Sequence, residues 1–478
     1  MYNEDIGFFK RHRETLWLLV LGIASCSYLA LCAVNVYIAF VMLFACIAFY
    51  TFSKNIDAAF MLYIIALPFT SIPFLNLLPL GISGMKLLFG LLAALLTLII
   101  LYKKPYKVSL AFSISFIILM ALYITAWIRS FNYALSAFSA GYVGKLSIAR
   151  YLIDYVSWTF IIFIPLVAIA YYYREDKDIE KIIKTVSVSA VLLVGYLFVV
   201  FISRIGNRGD FEVIRAELGK FTGMHGNDIA NFFILSFPVI LAWALYKKSR
   251  FALFTLLVIV AGTLLSFSRT AYFVVIFGFF LFLFLSGKMK WIPIVALVAG
   301  LMINFLLPEI IIERAATGII SGNFDELSAG RIDYIWEPLL NELKTDPQML
   351  LFGSGRFGII STDAWRQARI SLVTHAHNMY LDAVLDVGII GLAVFLTFFT
   401  MVLVYFWRNS IKNKKAFPYY SSLINGCCAS VICYMISGLT GRTFFPSLSN
   451  IYLWIVVGLG IAICENIRNK KSLNQTPM

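Results

Sequence analysis

Charged residues are few in this chain: Asp, Glu, Lys and Arg make up 13% of 478 residues, while hydrophobic residues make up 61%. Soluble domains carry about a quarter charged residues, so an ordinary soluble fold is excluded. Cysteine is sparse, and all seven (Cys26, Cys32, Cys46, Cys427, Cys428, Cys433, Cys464) lie inside apolar runs. None sits at metal-ligand spacing in a polar loop, so neither a disulfide framework nor a metal site is expected. They read as small buried hydrophobes. No repeat or low-complexity segment stands out. No soluble basic face with interleaved aromatics accompanies the net charge of +14, which argues against nucleic acid as a partner. Histidine is scarcer still, with four in the whole chain.

Apolar runs of about 18 or more residues recur from end to end, each long enough to cross a bilayer as a helix. Backbone groups have no water to bond there, and the runs are too continuous for barrel strands. The expected fold is therefore all-α, a polytopic membrane protein with about 12–14 transmembrane helices. The runs are 15–34, 36–52, 58–82, 84–101, 108–127, 151–173, 185–203, 228–246, 251–267, 271–286, 291–308, 379–406, 418–438 and 449–464. The first follows Lys10, Arg11 and Arg13 like a signal peptide, but another span follows directly without a small-residue cleavage site. It is expected to be a retained helix.

Alternate connections, among them "YKKPYK", "REDKDIEKIIK", "YKKSR" and "RNSIKNKK", are short and lysine-rich. They belong on the cytoplasmic side with both termini, where they also meet anionic lipid headgroups. The organisation expected is N-terminal spans over 1–203, central spans with arginine-bearing outer loops over 204–308, and a large periplasmic loop over 309–378. The last three helices, 379–464, and a cytoplasmic tail, 465–478, follow. Within the loop, Ile335, Leu339, Leu340 and Leu343 form a helical apolar stripe.

The outer connections are rich in arginine: Arg129, Arg150, Arg204, Arg208, Arg215, Arg269, Arg314, Arg331, Arg356, Arg366, Arg369 and Arg442. Positive-inside pressure gives no reason for this. Arginine's planar fork does, since it grips phosphate or carboxylate through two parallel hydrogen bonds. Three of them fall at special places. Arg269 lies in "SFSRTAYF", a polar break between two apolar runs; Arg215 lies in a Gly-punctuated loop leading into a span; Arg331 follows Gly330 in the large loop. His377 stands where chain enters the span after that loop, with His375 two residues earlier on the same face if the segment is extended. A helix N-terminus disfavours imidazolium, and a neutral imidazole can act as a general base. Asn378 beside it is a candidate helix cap, and a histidine that merely packs is the plain alternative. Metal binding is disfavoured, because no third ligand follows the His-x-His pair at suitable spacing.

The string "HNMYLDAVLDVGIIGL" resembles the signature of the O-antigen ligase and polymerase superfamily: a histidine, then Asn, Ser or Gln, nine residues and Gly-x-x-Gly. Here these are His377, Asn378, Met379 to Val387, Gly388 and Gly391. In order around it, "GMHGNDIA" resembles the family's loop-to-helix entry, "SFSRTAY" its serine-arginine break, "AGRIDYIW" its Gly-Arg-x-x-x-x-Trp stretch and "FGSGRFG" its glycine-rich turn. The resemblance implies a membrane-embedded, metal-independent glycosyltransferase without cofactor, acting at the periplasmic face of the inner membrane. Its donor would be a glycan on undecaprenyl diphosphate. Its acceptor would be lipid A-core for a ligase, or a growing lipid-linked glycan for a polymerase. His377 would then be catalytic, Arg215, Arg269 and Arg331 would hold the diphosphate, and His375, Asn378, Gly388 and Gly391 would support them. A flippase or transporter of lipid-linked saccharide is the alternative. It would place ionisable residues inside spans, where the sequence is read as nearly free of charge apart from Asp154.

Overall fold

The structure, a computed structural model, describes residues 55–72, 105–139, 158–204, 211–291, 293, 328, 330–370, 373–441 and 444–475. The chain divides into two compact units, residues 1–63 with 70–102, and residues 64–69 with 103–478. Of the first unit only residues 55–63 and 70–72 are described, and helix α1 (Ile56–Ala66) begins there. The expected runs 15–34, 36–52 and 84–101 and nearly all of 291–308 lie outside the described residues, as do Asp154, Arg150, Arg208, Arg314 and Arg442.

The second unit is a helical bundle: α2 (Leu110–Ser139), α3 (Ile164–Tyr172), α4 (Asp176–Arg204), α5 (Phe211–Thr222), α6 (Gly226–Lys247), α7 (Arg250–Leu265), α8 (Arg269–Leu285), α9 (Glu337–Thr345), α10 (Pro347–Phe352), α11 (Met379–Asn413), α12 (Pro418–Ser437) and α13 (Ile451–Gln475). No strand occurs among the described residues. Six helical stretches there are long and apolar enough to cross a membrane, and four shorter apolar helices accompany them. The protein is an all-α, multi-pass membrane protein.

Helix α6 is the centre, packed against α4, α7, α8, α12 and α13. Buried phenylalanines along it (Phe232, Phe233, Phe237) meet neighbours rather than lipid, so a span apolar all round is a core element here. Helices α11 and α13 both pack on α12, and α2 packs along α11. At the end of the bundle away from Gly226, Lys470 pairs with Asp176 at 2.6 Å and Lys247 with Glu180 at 3.4 Å. Three connections that the lysine pattern assigns to one side therefore meet.

Three elements differ from the sequence reading. Helix α2 runs to Ser139, well beyond the apolar run ending at 127, because its last turns have a polar partner: Arg129 donates to the carbonyls of Phe352 and Gly353, and Tyr133 to that of Arg356. Arg215 stands on a helix, α5, rather than in a loop; Ile214 and Leu218 are buried on one face, and Gly223 (φ 67) ends it. The span after the large loop is broken at Gly388 (φ 71, ψ −179). An ideal Cβ there would lie 2.1 Å from the Leu351 carbonyl oxygen, so the end of α10 occupies the space a side chain would need.

Candidate functional site

The site forms where the helix ends meet at one end of the bundle, and the caps create it. His225 caps α6, its Nδ1 accepting from the Asn227 N–H at 3.3 Å. Ser268 caps α8 after a turn in which Phe267 takes φ 49. Asn378 caps α11, its side-chain oxygen accepting from the N–H groups of Tyr380 and Leu381. The first two caps are joined, since the Ser268 hydroxyl donates to Asn227 Oδ1 at 2.7 Å. The Thr270 and Thr440 hydroxyls meet at 2.7 Å, tying α8 to the turn after α12.

Arg331 reaches into this floor, its Nη1 donating to the Thr440 carbonyl at 2.6 Å. Burial, then the charges of Arg215 and Arg269, lower the proton affinity of its guanidinium below the ordinary value. The three arginines singled out in the sequence therefore share one electrostatic neighbourhood. Arg215 also lies against His225, with Nη2 3.1 Å from Nε2. Asn227, in turn, would stand 3.2 Å from a Cβ at Gly441.

His375 and His377 are adjacent, with ring centroids 4.1 Å apart. The segment is not extended, because His377 takes φ 55. Ala376 between them is fully buried, and both its backbone groups are held: its N–H donates to Asp382 Oδ1 at 2.6 Å, and its carbonyl accepts from Trp336 Nε1 at 2.8 Å. Burial first, then His375, Arg331 and His225, push the His377 imidazole down to about 3. His375 is pushed down to about 4 by burial and then by Arg356, against the opposing charge of Asp228. Both rings are neutral at neutral pH. Three of the four histidines, His225 included, thus influence one another's protonation.

The other elements of the string are scaffolding. Gly388 is the helix break, and a Cβ on Gly391 would lie 2.4 Å from the Val387 side chain. In "FGSGRFG", a Cβ on Gly353 would come within 2.4 Å of Val387 N, and one on Gly358 within 2.2 Å of the Leu385 carbonyl oxygen. The glycine-rich turn is a saddle on the broken helix. Arg356 within it pairs with Asp386 at 3.1 Å, so it is removed from the group of ligand candidates, as is Arg129. Of the apolar stripe, Ile335, Leu339 and Leu343 are buried, but Leu340 is exposed.

One expectation needs correcting. The spans are not free of charge apart from Asp154, because α11 carries Asp382 and Asp386, one turn apart and both buried. Each has a specific local task, an N–H of the histidine turn and the Arg356 pair respectively. Sequence reading missed these two aspartates and His225. The scarcity of histidine could have flagged His225, and a carboxylate pair at i, i+4 in an apolar run could have flagged the others. Among the described residues no group of three or more His, Cys, Asp or Glu is arranged to hold a metal.

Fold and site together define a multi-pass membrane protein with arginines and neutral imidazoles gathered at one end of its bundle. Residues 253–396 match the family model described as O-antigen ligase, Wzy_C, which spans α7, α8, the loop with Arg331 and the histidine string. Over this segment the chain is similar to the O-antigen ligase family, which supports the O-antigen ligase and polymerase superfamily and a glycan-transfer role in general. No curated protein matches the chain.

Proposed function

We propose that the protein transfers a glycan from an undecaprenyl-diphosphate-linked donor to an acceptor hydroxyl, at the periplasmic face of the bacterial inner membrane, in surface polysaccharide biosynthesis. The observation that carries this reading is the convergence of Arg215, Arg269 and Arg331 on the end of the bundle that holds neutral His375 and His377. Like charges gathered in a partly dry place repel one another, and an anion of matching charge relieves that repulsion. A diphosphate fits their forked donors. Helix α7, with 16 residues, spans about 24 Å, against about 30 Å of hydrocarbon. On this reading the short span ends inside the hydrocarbon, and Arg269 just after it meets the donor where its polyprenyl tail begins.

In this reaction the acceptor oxygen bonds to the anomeric carbon as the bond to the diphosphate oxygen breaks. The electron pair leaves with the diphosphate, whose charge the arginines stabilise. The hydroxyl proton passes to His377. An imidazole held near 3 is a weak base, but the Arg331 field is among the causes. Donor phosphate charge offsets that field and raises the proton affinity of His377 when the donor is in place. A single displacement inverts the anomeric centre. The acceptor is lipid A-core if the protein is a ligase and a growing lipid-linked glycan if it is a polymerase.

The test is surface-polysaccharide gel profiling of a deletion strain complemented with wild type, His377→Ala, or the Lys variants of Arg215, Arg269 and Arg331. His377→Ala abolishes long chains at normal membrane abundance, and each Lys variant lowers transfer about tenfold or more through lost bidentate geometry. Normal chains in the His377→Ala strain would refute the reading. Lipid-linked polymer accumulating in the deletion strain marks a ligase, and single repeat units on lipid A-core mark a polymerase.

A further inference from the structure

Resting on that reading, we propose that Trp336 and Asp382 are positioning residues that hold the Ala376 peptide groups and so aim His375 and His377. The turn His375–Ala376–His377 belongs to no helix, so its backbone polar groups need partners from elsewhere. Each finds one: the Trp336 indole N–H reaches the carbonyl, and Asp382 Oδ1 takes the N–H. Both contacts bracket a backbone that a side-chain-bearing residue rarely adopts, with His377 at φ 55. Such a conformation is costly and persists where its surroundings over-determine it. Releasing either contact lets the peptide rotate, which swings the His377 ring away from a hydroxyl it must meet within hydrogen-bond reach.

Asp382 supplies this acceptor from the first turn of the helix that the histidine string opens, so its reach back is fixed by α11 itself. Its second oxygen, Oδ2, is buried without a hydrogen-bond partner among the described residues. One acceptor is therefore all that the site uses of the carboxylate, and a neutral amide can replace it. Trp336 closes the π-helical turn Ile332–Trp336 that Arg331 opens. One short segment thus presents an arginine to the site floor through Thr440 and the indole to the histidine turn, giving the Gly-Arg-x-x-x-x-Trp spacing a geometric reason.

The experiment uses full-length purified protein and undecaprenyl-diphosphate glycan extracted from the host strain, with initial rates measured for wild type, Trp336→Phe, Asp382→Ala, Asp382→Asn and His377→Ala. Trp336→Phe and Asp382→Ala lower kcat about tenfold to a hundredfold while donor KM stays within about twofold, the signature of lost orientation rather than lost binding. Asp382→Asn restores kcat to within about threefold of wild type, because its side-chain oxygen still accepts from Ala376. Full kcat in Trp336→Phe and Asp382→Ala alongside an inactive His377→Ala would overturn the positioning role and leave the glycan-transfer reading standing. An Asp382→Asn variant as slow as Asp382→Ala would also overturn it. An active His377→Ala would remove both. Should Trp336→Phe not fold, the contrast between the two Asp382 variants decides.

Discussion

Arg356 and Asp386 form an ion pair at 3.1 Å, with side chains only 11% and 3% exposed, inside a box of Phe357, Phe445 and Trp127. Asp386 also accepts the Gly358 N–H at 2.8 Å, and the Arg356 N–H donates to the Ala126 carbonyl at 3.0 Å. This pair ties the glycine-rich turn to the broken helix and to α2 at once. Removing one partner of a buried pair leaves an uncompensated charge and costs about 3–5 kcal/mol. Arg356→Ala and Asp386→Ala are each expected to lower membrane abundance and the unfolding temperature in detergent. Arg331→Lys is expected to reduce transfer at unchanged unfolding temperature. Equal thermal stability for Arg356→Ala and wild type would show the pair to be dispensable.

The break at Gly388 gives a second stability prediction. Gly388→Ala forces a side chain into positive φ and against the Leu351 carbonyl. The strain is about 1–2 kcal/mol for the backbone alone, and displacement of α10 adds to it. Loss of folded protein, read by size-exclusion chromatography after detergent extraction, is the expected result. Gly391→Ala meets the Val387 Cβ at 2.4 Å and the Leu122 side chain at 3.0 Å but needs no positive φ, and is expected to be the milder of the two.

The histidines predict a pH dependence with a definite sign. Free imidazole titrates near about 6.5, whereas His377 is held at about 3 and His375 at about 4. With folded values depressed, their contribution to stability is complete above about 6.5 and declines as pH falls toward those folded values. The acid limb of kcat/KM for the donor, which reports the free enzyme, is expected below about pH 5. The limb of kcat, which reports the donor complex, is expected at higher pH than that of kcat/KM. A pH–rate series at saturating and limiting donor checks both. Coincident limbs near 6.5 would mean that His377 is not held in a dry, positively charged place.

Lys344 lies on α9, exposed, in the segment expected to face the periplasm. A cysteine at this position should react with an impermeant thiol reagent in intact spheroplasts. The four described native cysteines are all buried and give little background. Labelling only after lysis would reverse the proposed orientation.

Class and rough span positions were written in the sequence because bilayer chemistry acts locally. A helix that must bury its own backbone in hydrocarbon needs a long apolar run, and nothing distant can alter that need. The same holds for the cap Asn378, which sits one residue before the helix whose first N–H groups it binds. Arg269 and His377 could be singled out for the same reason, each being a polar residue at the edge of an apolar run. Tertiary packing decided the rest, since it joins residues far apart in the chain. It placed Arg215 on a helix, sent Arg356 to a buried carboxylate rather than to the site floor, and broke a continuous apolar run at Gly388 because α10 presses against it. It also brought Asp382 and Trp336 to one peptide, Ala376, at the point where two imidazoles meet.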